Sequence, residues 1–324
     1  MQSNSEKLSA KDFATDQAIR WCPGCGDYAI LNSVKKVLAT LGRRKEDVVF
    51  ISGIGCSSRF PYYVDTYGMH SIHGRAVAIA TGTKVHNPSL SVWAITGDGD
   101  GLAIGGNHFI HAIRRNININ ILIFNNEIYG LTKGQYSPTS QLGQRTKTSP
   151  LGTIEKPFDP AMLALGAGAT FFARTTASDP KHLQEILLRA EAHCGTSVVE
   201  IYQNCVIFND EAFEQFLGKE NRDDHTVLLQ HGKPLVFGRG LDKAVQWGNH
   251  ELLVSTELDS AAIHDEQNLS LSFLLARLET VKPLGVYRCV QEPEYASNMD
   301  DTVKKESRKQ VSELLHSGST WEIE

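Results

Sequence analysis

The length and composition of this chain are those of a water-soluble globular protein. Its 324 residues are 41% hydrophobic and 21% charged, a balance typical of a domain with a buried core. The formal net charge of −5 argues against nucleic acid or an anionic membrane as the main partner, and no apolar run reaches the roughly 18 residues of a membrane span. The first twenty residues contain no apolar signal-peptide core, so we expect a cytoplasmic protein.

The first motif, WCPGC, follows a polar arm at residues 1–20 and contains Cys22 and Cys25. This spacing fits a thioredoxin-like disulfide exchanger, half of a zinc site or half of an iron–sulfur site, and alone it does not decide among them. Apolar residues at helical spacing predict a helix that ends at Gly42. A buried strand at residues 47–52 comes next, and the glycine turn after it carries Cys56. Residues 74–86 predict another helix.

The most regular pattern lies between residues 90 and 130. An apolar strand at 91–96 leads into GDGDG at 97–101, which we expect to be a turn because it is so rich in glycine. Apolar spacing then predicts a helix at 102–115 and a second buried strand at 117–124. Together these segments form one β-turn-α-β unit with parallel strands.

Polar side chains follow both strands of this unit. Asp98 comes directly after the first strand and Asn126 directly after the second, so both should reach the same edge of the sheet. A glycine turn between strand and helix favours phosphate binding through free N–H groups, yet carboxylates repel a diphosphate unless a cation lies between them. Mg²⁺ accepts about six oxygen ligands from carboxylates and phosphates. We therefore expect a metal-bound diphosphate at this edge.

GDG, a 25-residue gap and Asn125-Asn126 resemble the motif of thiamin diphosphate enzymes. In that family the aspartate, the second asparagine and a backbone carbonyl two residues later hold Mg²⁺. The resemblance thus implies that Asp98, Asn126 and the carbonyl of Ile128 are the ligands. The alternative is an ordinary Gly/Asp turn beside a polar strand end.

The rest of the chain continues the alternation of strands and helices. A long polar loop at 125–158 is expected to be functional, because compact domains rarely contain such loops otherwise. Elements are then predicted at 159–165 (helix), 170–175 (strand), 180–193 (helix) and 197–203 (strand). This order predicts an α/β fold with a doubly wound, mostly parallel sheet.

The alternation weakens from about residue 205. Residues 226–238 predict a small strand pair, and the polar segment 296–324 is suited to lying on another subunit. We therefore divide the chain into an N-terminal arm at 1–20, a cofactor domain at 21–215 and a C-terminal extension at 216–324 that packs on a partner.

Two further cysteines follow predicted strands. Cys56 and Cys205 should lie at the same edge of the sheet as Asp98. With Cys22 and Cys25 they bring four thiols together beside the diphosphate site. Four thiolates suit a 4Fe–4S cluster or a structural Zn²⁺, and the spacing favours neither.

Six segments in order resemble the β subunit of 2-oxoacid:ferredoxin oxidoreductases, and they are WCPGCGDY, GIGCSSR, HGRAVAIATG, GDGDGLAIGGNH, NNEIYGLTKGQ and YQNCVIFND. They cover roughly residues 20–215, and KPLGVYR continues the resemblance. It implies a thiamin diphosphate-binding fold with thiamin diphosphate, Mg²⁺ and a 4Fe–4S cluster as cofactors. It implies that the cluster is bound by Cys22, Cys25, Cys56 and Cys205. The thiamin diphosphate contacts that it implies are Ile54, Gly55, Cys56, Ser57, His73, Gly99, Asp100, Gly130 and Leu131.

The resemblance also implies an activity. A 2-oxoacid is decarboxylated oxidatively with coenzyme A to give acyl-CoA, CO₂ and reduced ferredoxin. The position three residues after Cys56 is associated with substrate binding in the family and is often lysine, whereas here it is Arg59. Arginine keeps the charge and can bind a carboxylate through two hydrogen bonds, which favours 2-oxoglutarate, although Lys133 could serve instead.

Simpler roles compete for some of these residues. The resemblance makes His73 and Arg59 the candidate catalytic residues, but His73 could be an ordinary core histidine. Asp100 could cap the helix at 102–115. The chain could also use pyruvate or another 2-oxoacid, or be a non-redox thiamin diphosphate decarboxylase with structural zinc.

The chain accounts for one cofactor domain, whereas thiamin diphosphate needs a second domain whose glutamate contacts the pyrimidine ring. The family supplies that domain from a separate α subunit. We therefore expect an obligate hetero-oligomer, with an interface around Gly130 and the loop at 125–158, and with ferredoxin, the 2-oxoacid and coenzyme A as further partners.

Overall fold

This computed structural model describes residues 8–299 together with residues 316, 318 and 321. In those residues the strands are β1 Val48–Ser52, β2 Tyr67–His70, β3 Ser91–Gly97, β4 Asn120–Asn125, β5 Phe171–Thr176, β6 Ser197–Tyr202, β7 Thr226–Leu229, β8 Val236–Phe237, β9 Lys243–Trp247, β10 Leu252–Ser255 and β11 Lys282–Cys289. The helices are α1 Asp27–Leu41, α2 Ala76–His86, α3 Asp98–Leu102, α4 Gly106–Arg114, α5 Pro160–Gly166, α6 Pro180–Ala192, α7 Glu214–Leu217, α8 Arg222–His225 and α9 Leu269–Ala276. No helix in this part of the chain is long and apolar enough to cross a membrane.

The main sheet has the order β2-β1-β3-β4-β6-β5-β11-β7, counted over the described residues. Neighbouring strands from β2 to β5 run parallel, β11 is antiparallel to β5, and β7 is parallel to β11. The predicted α/β fold with a mostly parallel sheet is therefore confirmed. The strand order also confirms that β3 and β4, the two strands of the central unit, are parallel neighbours.

Apolar cores cover both faces of this sheet. Alternate residues of a strand point to opposite faces, and accordingly Val92 and Ala94 of β3 belong to one buried cluster while Trp93 and Ile95 belong to the other. Helix α1 closes the second cluster with buried residues at helical spacing. It ends as predicted at Gly42, whose left-handed backbone (φ 63°) lets its N–H donate to the Leu38 carbonyl.

The expected turn at 97–101 is instead helical, and the single helix expected at 102–115 is divided. Helix α3 begins at Asp98, the chain leaves helical geometry at Ala103, and α4 begins at Gly106. Helix α3 can form at these residues because glycine weakens a helix without forbidding it. In addition, Asp98 and Asp100 in its first turn interact favourably with the positive end of the helix dipole.

The strand pair expected at 226–238 is also wrong. β7 joins the open edge of the main sheet beside β11, whereas β8 pairs with β9 in a separate sheet of order β10-β9-β8. The apolar β7 is largely buried there, so the edge of the main sheet offers it more apolar contact than a two-stranded ribbon would. The three-part domain division stays a prediction, and the segment predicted at 296–324 lies mostly outside the described residues.

Candidate active site

The carboxyl ends of the central strands surround a cavity of about 530 Å³. All nine residues implied as thiamin diphosphate contacts line it, namely Ile54, Gly55, Cys56, Ser57, His73, Gly99, Asp100, Gly130 and Leu131. The three residues implied as Mg²⁺ ligands, Asp98, Asn126 and Ile128, line it too. The structure thus brings together every residue that the motifs assigned to the diphosphate site. We call this space the diphosphate cavity.

Asp98 is a buried carboxylate fixed on one side by hydroxyl groups. Its Oδ2 accepts hydrogen bonds from Ser137 Oγ at 2.5 Å and from Thr139 Oγ1 at 2.6 Å. Burial raises the pKa of Asp98, while these two hydroxyls act in the opposite direction. A divalent cation in the cavity would compensate the cost of burying this charge, so the carboxylate fits the proposed metal.

Asn126 completes the oxygen side of the cavity. Its Oδ1 accepts a hydrogen bond from the Ile128 N–H at 3.2 Å, and its backbone carbonyl accepts one from Asn209 Nδ2 at 2.9 Å. An amide oxygen, a backbone carbonyl and one carboxylate form the hard oxygen set that Mg²⁺ prefers. In the described residues no group of three His, Cys, Asp or Glu side chains could hold a metal ion. The proposed Mg²⁺ ligands include only one such side chain, Asp98, because the other two are an amide oxygen and a backbone carbonyl.

Ser137, Thr139 and Asn209 were not found from the sequence. The hydroxyls reach Asp98 across 39 and 41 positions of the chain, and a single serine or threonine in a polar loop carries no distinctive pattern. The only signal was the length of the loop at 125–158, which lines the cavity between Asn126 and Gln135 and bonds Asp98 through both hydroxyls.

Asp100 connects the walls of the cavity. Its Oδ1 accepts hydrogen bonds from the N–H groups of Ile54 at 3.1 Å and Gly74 at 2.7 Å, and lies 2.6 Å from His73 Nδ1. A Cβ at Gly53 would lie 2.0 Å from Asp100 Oδ2, so only glycine allows this approach. Asp100 lies inside α3, so its interpretation as the cap of a helix at 102–115 is wrong.

The four predicted cysteines line a second cavity of about 210 Å³, which we call the cysteine cavity. A methyl group on Gly130 would lie 3.4 Å from Cys205 Sγ and 3.7 Å from Cys56 Sγ. Trp21, of the WCPGC motif, fixes the Cys56 backbone through a 2.7 Å hydrogen bond from Nε1 to the Cys56 carbonyl. The two cavities share a wall made of Cys56, Asn126, Gly130 and Leu131.

The chemistry of these cysteines fits a metal centre. All four are free thiols, and burial raises the pKa of Cys25 and raises that of Cys56 to about 12. A thiolate at these positions therefore needs a bound positive centre. Four thiolates suit either a 4Fe–4S cluster or a structural Zn²⁺.

The candidate catalytic residues lie on different cavities. His73 lines the diphosphate cavity, where its ring centroid is 6.3 Å from that of Tyr129. Arg59 lines the cysteine cavity, together with Arg20 and Lys133. Both places adjoin the shared wall.

Comparison with known proteins identifies the family. Residues 53–201 match the C-terminal TPP binding domain of thiamine pyrophosphate enzymes. The chain is 48% identical to the 2-oxoglutarate oxidoreductase subunit KorB of Mycobacterium tuberculosis over an alignment 342 residues long. The alignment covers 99% of this chain and 90% of that protein. The chain belongs to the β subunits of 2-oxoacid:ferredoxin oxidoreductases.

Other members of this β-subunit family agree. The 2-oxoacid:ferredoxin oxidoreductase subunit beta of Saccharolobus solfataricus is 40% identical over 238 residues, which is 71% of this chain and 78% of that one. A solved structure of the 2-oxoglutarate:ferredoxin oxidoreductase from Magnetococcus marinus, with 2-oxoglutarate, coenzyme A and succinyl-CoA bound, superposes with a TM-score of 0.82 at 33% identity and covers 98% of each chain. The resemblance to this β-subunit family that the sequence motifs indicated is confirmed.

Proposed function

We propose that this chain is the thiamin diphosphate-binding subunit of an enzyme that oxidises 2-oxoglutarate. The enzyme converts the 2-oxoacid and coenzyme A to acyl-CoA and CO₂ and passes two electrons, one at a time, to ferredoxin. The observation that carries this proposal is the shared wall between an oxygen-lined cavity and a four-cysteine cavity. A decarboxylase without redox chemistry needs no iron–sulfur cluster beside its cofactor.

Each cofactor has residues that fit it. Asp98, Asn126 and the Ile128 carbonyl would hold Mg²⁺ against the diphosphate, and the four cysteines would hold a 4Fe–4S cluster. When bound, thiamin diphosphate would supply a carbon nucleophile and an electron sink, and the cluster would supply one-electron transfer. The chain itself anchors, orients and shields these groups.

The side chains around the reacting centre have distinct tasks. His73 is oriented by Asp100 through a 2.6 Å contact, so it can hold or deliver a proton within the diphosphate cavity. Arg59 carries the positive charge that would bind the distant carboxylate of 2-oxoglutarate. Leu131 and Ile54 add apolar surface that excludes water from the site once a partner covers them.

Two comparisons support 2-oxoglutarate as the substrate. The relative from Mycobacterium tuberculosis is named for 2-oxoglutarate, and the structure from Magnetococcus marinus contains it together with succinyl-CoA. A bidentate arginine at position 59 suits a dicarboxylate better than it suits pyruvate. Pyruvate and other 2-oxoacids are the second candidates.

The exposed apolar residues near the diphosphate cavity support an obligate partner. On the loop at 125–158 five of them are exposed, namely Leu131, Leu142, Leu151, Ile154 and Phe158. An apolar surface of this kind, next to an active site, is typical of a subunit interface. We assign it to an α subunit that completes the thiamin diphosphate site in a cytoplasmic hetero-oligomer.

Anaerobic purification of the chain with its α subunit tests the whole proposal. We expect a brown protein whose visible absorption bleaches with dithionite, and reduction of methyl viologen that depends on coenzyme A and is fastest with 2-oxoglutarate in a panel of 2-oxoacids. The chain alone should carry the cluster without substrate-dependent turnover. A colourless, zinc-loaded complex, or full turnover by the single chain, would contradict it.

A further inference from the structure

A buried amide in the wall of the cysteine cavity, that of Gln203, bridges Cys25 and the carboxyl group of Asp27, which lines the diphosphate cavity. Gln203, which directly follows β6, is 1% exposed. Its Nε2 donates to Cys25 Sγ at 3.1 Å and to Asp27 Oδ1 at 3.0 Å. A Cβ at Gly26 would lie 2.8 Å from Gln203 Cγ, so the glycine between Cys25 and Asp27 allows this close approach.

The orientation of this amide is fixed by its partners. Asp27 Oδ1 accepts the hydrogen bond from Gln203 Nε2 whether the carboxyl group is ionised or carries its proton on Oδ2, so this oxygen selects the NH₂ side of Gln203 and turns that side toward the sulfur. Asp27 itself is 1% exposed at the start of α1. Among the described residues its Oδ2 and Gln203 Oε1 have no hydrogen-bond partner. The structure therefore buries polar atoms at some cost in order to keep one N–H directed at Cys25.

Hydrogen bonds to cluster sulfurs affect the reduction potential, because they stabilise the more negative, reduced state more strongly than the oxidised one. Of the four predicted cluster cysteines, Cys25 is the one whose sulfur accepts a side-chain hydrogen bond in the described residues. Arg59 and Lys133 line the same cavity and contribute charge without such a bond. The hydrogen bond from Gln203 is thus placed to raise the reduction potential of the cluster.

We propose that Gln203 is a positioning residue that raises the reduction potential of the cluster through its hydrogen bond to Cys25, with Asp27 orienting the amide. This inference rests on the proposed function, since it requires the cluster. It concerns the energy of electron transfer.

The test is a redox titration of the anaerobic αβ complex, followed by electron paramagnetic resonance, for the wild type and Gln203→Met. Methionine keeps an unbranched side chain of similar length but cannot donate. We expect the ratio of reduced to oxidised cluster at a fixed ambient potential to fall about tenfold, a shift of 59 mV for a one-electron couple. Gln230→Met, at an exposed position of the chain, is the matched control and should leave the ratio unchanged.

Gln203→Leu is the second variant, and it should lower the ratio about as far, because leucine cannot donate a hydrogen bond to the sulfur either. Full iron content with an unchanged potential in either variant would overturn the inference. Loss of the cluster from both variants would give Gln203 a purely structural role and would overturn it as well. Absence of any iron–sulfur signal in the wild type would overturn the proposed function itself, so the two failures are distinguishable.

Discussion

The two cavities of this chain touch each other and are constructed in opposite ways. The diphosphate cavity is lined by strand ends and turns whose polar groups already bond one another, as Asp98 does with Ser137 and Thr139. The cysteine cavity collects four thiols from distant segments, and burial opposes the ionisation of Cys25 and Cys56. The first site is organised by the protein alone, whereas the second needs a bound group to be stable with charged sulfurs. Losing the ligand should therefore have different consequences in the two cavities.

The largest effect should come from Asp98→Ala. It removes the single carboxylate of the proposed Mg²⁺ set, so we expect thiamin diphosphate affinity to fall by more than about 100-fold in a calorimetric titration, which corresponds to roughly 3 kcal/mol. The fold and the brown chromophore should remain. Asp16→Ala, at an exposed aspartate, is the control, and unchanged cofactor binding by Asp98→Ala would remove this residue from the site.

Cys22→Ser should have the opposite effect to Asp98→Ala, since it should remove the cluster and leave thiamin diphosphate binding intact. A serine hydroxyl is a much poorer iron ligand than a thiolate, so the visible absorption of the cluster and its iron content should be lost, while thiamin diphosphate still binds to the αβ complex. Cys194→Ser, at an exposed cysteine outside the cavity, should keep its colour. Loss of thiamin diphosphate binding together with the cluster would mean that the two cavities form one unit.

Arg59→Ala tests which cavity the substrate reaches. Loss of one charge-assisted pair costs about 1.5–3 kcal/mol, or roughly 10- to 150-fold in affinity. We expect the KM for 2-oxoglutarate to rise by this factor, and the KM for pyruvate to change little. Lys133→Ala is the comparison variant. If both substrates respond equally, Arg59 contacts the 2-oxoacid end that they share or the cofactor alone.

The smallest effect should be a pH dependence of stability from Glu127, which lies behind the diphosphate cavity. Burial raises the pKa of Glu127 from 4.5 to about 7, so the folded state holds a proton that the unfolded state has released. This contribution is fully present below pH 4.5 and is lost as the pH rises through 7.

Glu127→Gln isolates this contribution, because the amide is neutral at every pH. The variant should gain Tm relative to the wild type between pH 5 and pH 8, as measured by thermal unfolding of the chain in buffers of equal ionic strength. Glu185→Gln, on α6, is the control. An equal difference at both pH values would show that Glu127 is ionised in the folded state.

The sequence predicted the residues that line the site far better than the residues that hydrogen-bond to them. Strand ends and glycine turns are local patterns, so the order of residues alone was enough to place Asp98, Asn126 and Cys56 at one edge of a parallel sheet. Ser137, Gln203 and their partners depend on contacts across long stretches of chain, and no local pattern records such contacts. Sheet edges are similar in this respect, since β7 could have paired with β8 and instead filled the edge beside β11.

The helix α3 illustrates a further limit of local patterns. Glycine content alone predicted a turn at 97–101, because intrinsic preference was the only information in that window. In the folded chain the Asp100 carboxylate receives hydrogen bonds from Ile54 and Gly74, and Tyr129 Oη donates to the Gly99 carbonyl at 2.8 Å. Tertiary contacts of this kind override the weak preference of glycine.

The shared wall at Gly130 has a kinetic consequence. Electron tunnelling slows exponentially with the distance between donor and acceptor, and here the two proposed redox groups are separated by a strip of backbone with no side chain at residue 130. A Cβ at residue 130 would lie 3.4 Å from Cys205 Sγ and 3.7 Å from Cys56 Sγ, which is ordinary van der Waals contact, so it is a side chain longer than that of alanine that would crowd the sulfurs. In an enzyme of the proposed kind, the lack of a long side chain at Gly130 thus helps to keep the tunnelling distance short and, through it, the transfer of electrons from the substrate fast.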